Sequence, residues 1–390
     1  MNKLFRVGIV VSILLIGTVL ATAGPDDAKK LAALDAPADA WVGEDAIPVD
    51  LVICLDNSGS MKDLLEQVRL RLWDITNELG ALEPAPALRV GLVTFGDRTA
   101  SRTGFVRTQF DLTSDLDFVY SRLMELENTS GGHEFVGRAL HVAVESMGWS
   151  DDADALKMIV VAGNEPADQG SESYDFRNVA AEARARNIVV NALYAGKPEL
   201  GITERWQELA ESGEGSFLAL ESPGAMRSIV GKTPYDGDLA ALNAELNASY
   251  LPIGAEGEKR LTVQTEQDAH AARLGVLNDR IETKVGRFYE NGGWDLVDAA
   301  RRPGFDRAAW DDAELPASVR GLDQEALLDL LGAKAAERDA VKARIRELVE
   351  QRDAFLRGDG KEGAPAPKPD ALRSIIAGQA EAKGFRRAGS

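Results

Sequence analysis

Val49-Asp50-Leu51-Val52-Ile53-Cys54-Leu55 runs directly into Asp56-Asn57-Ser58-Gly59-Ser60-Met61, and this junction decides how the rest of the chain is read. The first seven residues form an apolar run of strand length. The loop behind them has the pattern D-x-S-x-S. Asp56 offers a carboxylate, while Ser58 and Ser60 offer neutral hydroxyl oxygens. Gly59 lets the backbone turn tightly enough to aim both hydroxyls at one point. A hard divalent cation takes about six oxygens, and this loop supplies about three. The same residues suit the N-cap of a helix starting near Met61. It is the strand immediately upstream that gives the metal reading its weight.

Outward from that junction, apolar runs alternate with helical patterns. Leu88–Phe95, Phe105–Leu112, Leu156–Ala162, Ile188–Tyr194 and Ser216–Leu220 join Val49–Leu55 as expected strands. Leu64–Leu79, Leu116–Leu126, Val136–Met147 and Phe176–Arg186 carry apolar residues at a spacing near 3.6, which predicts helices. Strands apolar throughout and separated by helices imply an α/β fold, a doubly wound and mostly parallel sheet covered on both faces. Ligands bind such sheets outside the carboxyl ends of the strands, where Asp56 falls.

Here the chain resembles a von Willebrand factor type A domain, whose metal-ion-dependent adhesion site (MIDAS) opens with this D-x-S-x-S motif. The resemblance spans residues 48–231 and implies two further ligand loops. The second normally presents a threonine five residues before an Ala-Leu pair. Counting back from Ala139-Leu140, that slot holds Glu134, in Ser130-Gly131-Gly132-His133-Glu134. Some members, integrin beta-subunit versions among them, also carry glutamate there. The third loop normally carries an aspartate. Here it reads Ala162-Gly163-Asn164-Glu165-Pro166, with Asn164 in the slot. The implied ligand set is therefore Asp56, Ser58, Ser60, Glu134 and Asn164, which keeps the usual two carboxylates although charge has moved between loops. Oxygen ligands imply a hard cation, Mg²⁺ or Ca²⁺. The bland alternative is a fold without metal in which Glu134 caps its helix. Thr129 and Ser130 stand as reserve ligands, and His133 reads as a loop residue. The two loops also resemble a subgroup of exported bacterial type A proteins.

Composition narrows the function. Among 390 residues there are 63 acidic and 44 basic side chains, a net charge of −19, with no strong basic patch, so nucleic acid and anionic membranes are poor partners. One cysteine, Cys54, excludes an intrachain disulfide framework and reads as a core residue. No G-x-S-x-G, H-E-x-x-H or G-x-x-x-x-G-K-[ST] pattern occurs, which disfavours hydrolase and nucleotide chemistry. Residues 1–23 read as a cleavable signal peptide: Lys3 and Arg6, a 14-residue apolar run, then Ala21-Thr22-Ala23. That run is shorter than the roughly 20 residues that span a bilayer.

Residues 24–47 read as a linker. Residues 232–357 read as a helical C-terminal domain, with a continuous helix over Arg260–Tyr289 and a second over Leu322–Leu356 making a hairpin. Residues 358–390 read as a loose tail. The expectation is a periplasmic or secreted protein-binding module rather than an enzyme, needing no small-molecule cofactor, whose protein partner supplies an acidic side chain to the metal. Its membrane attachment would require an uncleaved leader. The rival expectations are a metal-independent envelope scaffold binding through the helical domain and, below it, a metal-dependent hydrolase.

Overall fold

Side chains of the first strand, β1 (Ile47–Asp56), point alternately into two separate apolar layers. Leu51, Ile53 and Leu55 pack with Leu65, Leu72 and Trp73 of helix α1 (Lys62–Gly80) and with Phe118 and Leu123 of α2 (Leu116–Glu125). Val52 and Cys54 pack on the other side with Leu140 of α3 (Val136–Ser146), Val179 of α4 (Phe176–Ala185) and Trp206. A strand buried on both faces has no polar side, which is why it reads as an unbroken apolar run. These features come from a computed structural model that describes Leu34, Pro37 and residues 46–170, 172–220, 232–357 and 371–387. The expected signal peptide, most of the expected linker and residues 358–370 of the expected tail lie outside the described residues.

Six strands form the main sheet, in the order β4-β3-β1-β5-β6-β7. They are β3 (Pro86–Phe95), β4 (Val106–Thr113), β5 (Leu156–Gly163), β6 (Ile188–Tyr194) and β7 (Glu214–Ala219) beside β1. Only β4 runs antiparallel, at one edge. The short β2 (Leu82–Glu83) pairs with β8 (Arg386–Arg387) in a separate ribbon. From β1 the chain winds one way through β3 and β4, then the other way from β5 through β6 and β7. The β1–β5 boundary is therefore the switch point at which doubly wound sheets bind ligands. Asp56 pairs with Phe95, and Leu55 with Ala162, so three strands end side by side there.

Local chemistry starts the flanking helices. Asp115 accepts the Phe118 N–H at 2.9 Å ahead of α2, and Asp175 accepts the Arg177 N–H at 2.9 Å ahead of α4. Each such cap is worth about 1 kcal/mol. Two short helices, α5 (Pro198–Thr203) and α6 (Trp206–Ser212), were not foreseen.

The C-terminal region is helical, as expected, but differs in detail. It contains α7 (Asp236–Ala248), α8 (Gly254–Leu274), α9 (Leu277–Val285), α10 (Leu296–Ala299) and the 34-residue α11 (Gln324–Arg357). The helix expected across Arg260–Tyr289 is broken: Gly275, with φ of 80°, closes α8 in the left-handed conformation that glycine adopts freely. The expected tail is also corrected. Residues Ala371–Ala382 form helix α12, with Leu372, Ile376 and Ala380 buried at a spacing of four beside α1. Arg373 anchors it to Glu78 at 3.0 Å. β1 likewise starts at Ile47, inside the stretch expected as linker.

Buried charges join the helical region to the sheet-side helices. Arg280, wholly buried, donates to Asp268 at 2.5 Å and to Asp117 of α2 at 3.1 Å, and lies 4.8 Å over the Trp73 ring. Lys284 donates to Asp268 at 2.8 Å. Burial alone would raise the Asp268 carboxyl, but Lys284 and Arg280 hold it below the usual carboxylate range. Two cations face two carboxylates, so removing any one leaves an uncompensated buried charge.

Candidate metal centre

All five residues named from the sequence meet at the carboxyl edge of β1 and β5. Asp56 ends β1 and accepts the Ser58 backbone N–H at 2.8 Å, which folds the loop back on itself. The Ser58 and Ser60 hydroxyls lie 3.0 Å apart. Ser60 donates to Asn164 Oδ1 at 3.4 Å, connecting the first loop to the third. Glu134 arrives from the loop before α3. A Cβ built on Gly96 would fall 2.8 Å from Asp56 Oδ1, 3.3 Å from Glu134 Cγ and 3.3 Å from Ser58 Cβ. Gly96, with φ of 81°, therefore closes the floor of the cradle where these side chains converge, and only glycine fits without displacement.

The electrostatics would suit a cation. Asp56 Oδ2 and Glu134 Oε2 are both buried, and among the described residues neither finds a hydrogen-bond partner. The Asp56 carboxyl is pushed up to about 8, first by burial and then by the neighbouring Glu134 charge, against the lowering effect of the Ser58 N–H. Glu165 is also raised, by burial and by Glu134 and Glu204. Buried carboxylates facing each other cost free energy unless a cation stands between them. The donor set, two carboxylates, two hydroxyls and one amide oxygen, fits a hard divalent ion. Exposure rises from Asp56 and Ser58, both buried, to Ser60, which is exposed, so the site opens on one side only.

The alternatives separate cleanly. Helix α3 has no side-chain cap, so Glu134 is not engaged as one. Thr129 is turned to the backbone: its N–H donates to the Asn57 carbonyl at 2.8 Å, and its hydroxyl faces Asn57 O and Gly96 O. Asn128 donates to Ser58 O at 2.8 Å, bracing the same loop. His133 sits in an aromatic cluster, stacked on Phe135 and edge-on to Phe105. Cys54 is core, its thiol pushed up by burial. Two supporting residues were not foreseen, Gly96 and Trp206. The Trp206 indole donates to Glu165 O at 2.8 Å, and its ring lies 2.8 Å from where a Gly163 Cβ would stand, so it holds the third loop in place. A glycine at the carboxyl end of each of the two strands flanking β1 was the available signal.

Residues 50–231 match the model of the von Willebrand factor type A domain. This part of the chain is a type A domain. Such domains often mediate metal-dependent protein interactions. Solved structures similar to the type A domain include the conserved hypothetical protein BatB from Bacteroides thetaiotaomicron, 21% identical over 46% of this chain and 95% of that one, with a TM-score of 0.36. Proximal thread matrix protein 1 from the mussel byssus, in a form with a zinc-occupied MIDAS motif, is 18% identical over 47% of this chain and 44% of that one, with a TM-score of 0.37. The SpRpn10 VWA domain is 16% identical over 47% of this chain and 95% of that one, with a TM-score of 0.35. No curated protein is a significant match. Among the described residues no helix is long and apolar enough to cross a membrane.

Proposed function

We propose that this type A domain is a metal-dependent protein-binding module. Asp56, Ser58, Ser60, Glu134 and Asn164 hold a divalent cation, Mg²⁺ or Ca²⁺, and an acidic side chain of a protein partner approaches it past Ser60. The observation that carries this reading is the pair of buried, unpartnered carboxylate oxygens on Asp56 and Glu134. A bound cation supplies positive charge to that pair. Asp56 and Glu134 give it charge, Ser58 and Ser60 fix its position through their shared contact, and Asn164 brings the third loop to it. Nothing in the arrangement supplies a positioned base beside a nucleophile, so binding rather than catalysis is the reading it favours.

We further propose export to the periplasm or beyond, with cleavage after Ala23, and kinship with exported bacterial type A proteins that carry Gly-Gly-x-Glu and Ala-Gly-Asn-Glu-Pro loops. The apolar run with its Ala21-Thr22-Ala23 ending supports the first statement, and Gly131–Glu134 with Ala162–Pro166 supports the second. The helical region belongs to the same functional unit, because Arg280, Asp268 and Asp117 bind it to α2. Calorimetric titration of the chain from Gly24 onward with Mg²⁺ and with Ca²⁺ is the test. Saturable binding that Ser60→Ala weakens supports the module, and binding of neither ion refutes it. Amino-terminal sequencing of the exported protein checks the cleavage, and recovery of Met1 would refute it.

A further inference from the structure

A second polar site lies in the helical region. Arg287, Arg301, Arg302 and Lys342 line a cleft of about 190 Å³ together with Tyr289, Glu290 and Asp298. Four cations and two carboxylates face this space in a chain whose net charge is −19, and Glu83 and Asp339 outside the lining pair with two of the four. The space is far above the roughly 10–15 Å³ that one water requires.

Most of these cations have a structural task. Arg302 forks onto Glu290 at 2.6 and 3.1 Å, Arg301 pairs with Asp339 at 2.9 Å, and Arg287 pairs with Glu83 at 2.7 Å. Lys342 has none: among the described residues it makes no hydrogen bond or ion pair. Its neighbours one turn away on α11 are Arg338 and Arg346, and like charges at that spacing destabilise a helix. Arg338 is neutralised by Asp295 at 2.6 Å and Asp298 at 2.8 Å. Arg346 donates to the Val285 carbonyl at 2.9 Å, at the end of α9 where a cation is favoured. Lys342 lies between them on the helix and lines the cleft. Burial, joined by Arg338, Arg301 and Arg346 and opposed by Asp298, lowers its proton affinity. The counter-charge that acts on Lys342, Asp298, is already engaged by Arg338.

We propose that this cleft binds a small tetrahedral oxyanion of the phosphate class, with Lys342 as its principal anchor and the arginine N–H groups at the rim as further donors. Such an anion supplies the counter-charge that Lys342 lacks and accepts from several donors at once. The free ion and a phospholipid headgroup share this chemistry.

Titration of the full chain with inorganic phosphate, followed by calorimetry in the presence of EDTA, tests it. The chelator removes any divalent ion at the Asp56 site that would itself attract phosphate. Saturable binding is expected for the wild type and for Asp56→Asn, with at least a tenfold loss in Lys342→Met and retention in Lys342→Arg. The melting temperature of Lys342→Met without phosphate should equal or exceed that of the wild type, which excludes misfolding as the cause. Co-sedimentation with phosphatidylglycerol vesicles then assigns the source: Lys342-dependent sedimentation means a headgroup, and phosphate binding without it means a free anion. Absence of saturable phosphate binding in the wild type, or unchanged affinity in Lys342→Met, overturns the proposal.

Discussion

Glu134→Gln should make the protein more stable in chelator and less stable in excess Mg²⁺, reversing its rank against the wild type. The reasoning starts from Asp56, whose carboxyl is raised from 3.8 to about 8 by burial first and the Glu134 charge second. At 1.36 kcal/mol per unit the whole shift corresponds to about 6 kcal/mol at high pH, as an upper bound. The glutamine removes only the second contribution and can donate to the unpartnered Asp56 Oδ2, so a gain of about 1–2 kcal/mol is expected. For a chain of this size that is roughly a 1–3 °C rise in melting temperature in EDTA at pH 8. Because Asp56 holds its proton more tightly folded than unfolded, stability that is complete below 3.8 is lost as pH rises through about 8. This slope should flatten in the variant. With cation at a hundred times its dissociation constant, the wild type gains about 2.7 kcal/mol and the variant little. Differential scanning fluorimetry across pH 4–9, with EDTA or Mg²⁺, reads both effects. A variant no more stable than wild type in EDTA at pH 8, or one that gains equally from Mg²⁺, would refute the idea that these carboxylates confront each other across a cation site.

Three other outcomes follow from the same geometry. Glu134→Ala should reduce Mg²⁺ or Ca²⁺ affinity much more than Asn164→Ala, because it removes charge as well as an oxygen; calorimetry giving equal losses would place Glu134 outside the ligand set. Gly96→Ala should lose cation binding while the chain still folds, since its Cβ would stand 2.8 Å from Asp56 Oδ1, and titration next to circular dichroism separates the two effects. Arg280→Met should destabilise the protein by about 3–5 kcal/mol by leaving Asp117 and Asp268 short of a counter-charge, measured by denaturant unfolding.

The order of strands and helices was legible because each strand of the parallel sheet is buried on both faces and each flanking helix carries one apolar stripe. The first metal loop was legible for the same reason, since D-x-S-x-S gains meaning from the strand before it. Glu134 and Asn164 depended on the family resemblance, as nothing local marks either as facing Asp56. Gly96 was hidden because a glycine ending a strand signals a close approach without saying to what. Asp268, Arg280 and Lys284 carried no signal of burial in the sequence. Their burial depends on Asp117, 163 residues from Arg280 in the chain. Helix α12 escaped notice because its Leu372–Ile376–Ala380 stripe is short and surrounded by Gly, Pro, Ala and Lys.

Helix α2 has a mechanical consequence. At its start, Asp115 is held by Arg260 at 2.6 Å and Asp117 by Arg280, both from the helical region. Just past its end, Asn128 and Thr129 grip the backbone of Ser58 and Asn57. A rod of ten residues, about 15 Å long, thus has one end in each part of the protein. Through the short loop after it, this helix links the residues held by Arg260 and Arg280 to the backbone that carries Ser58.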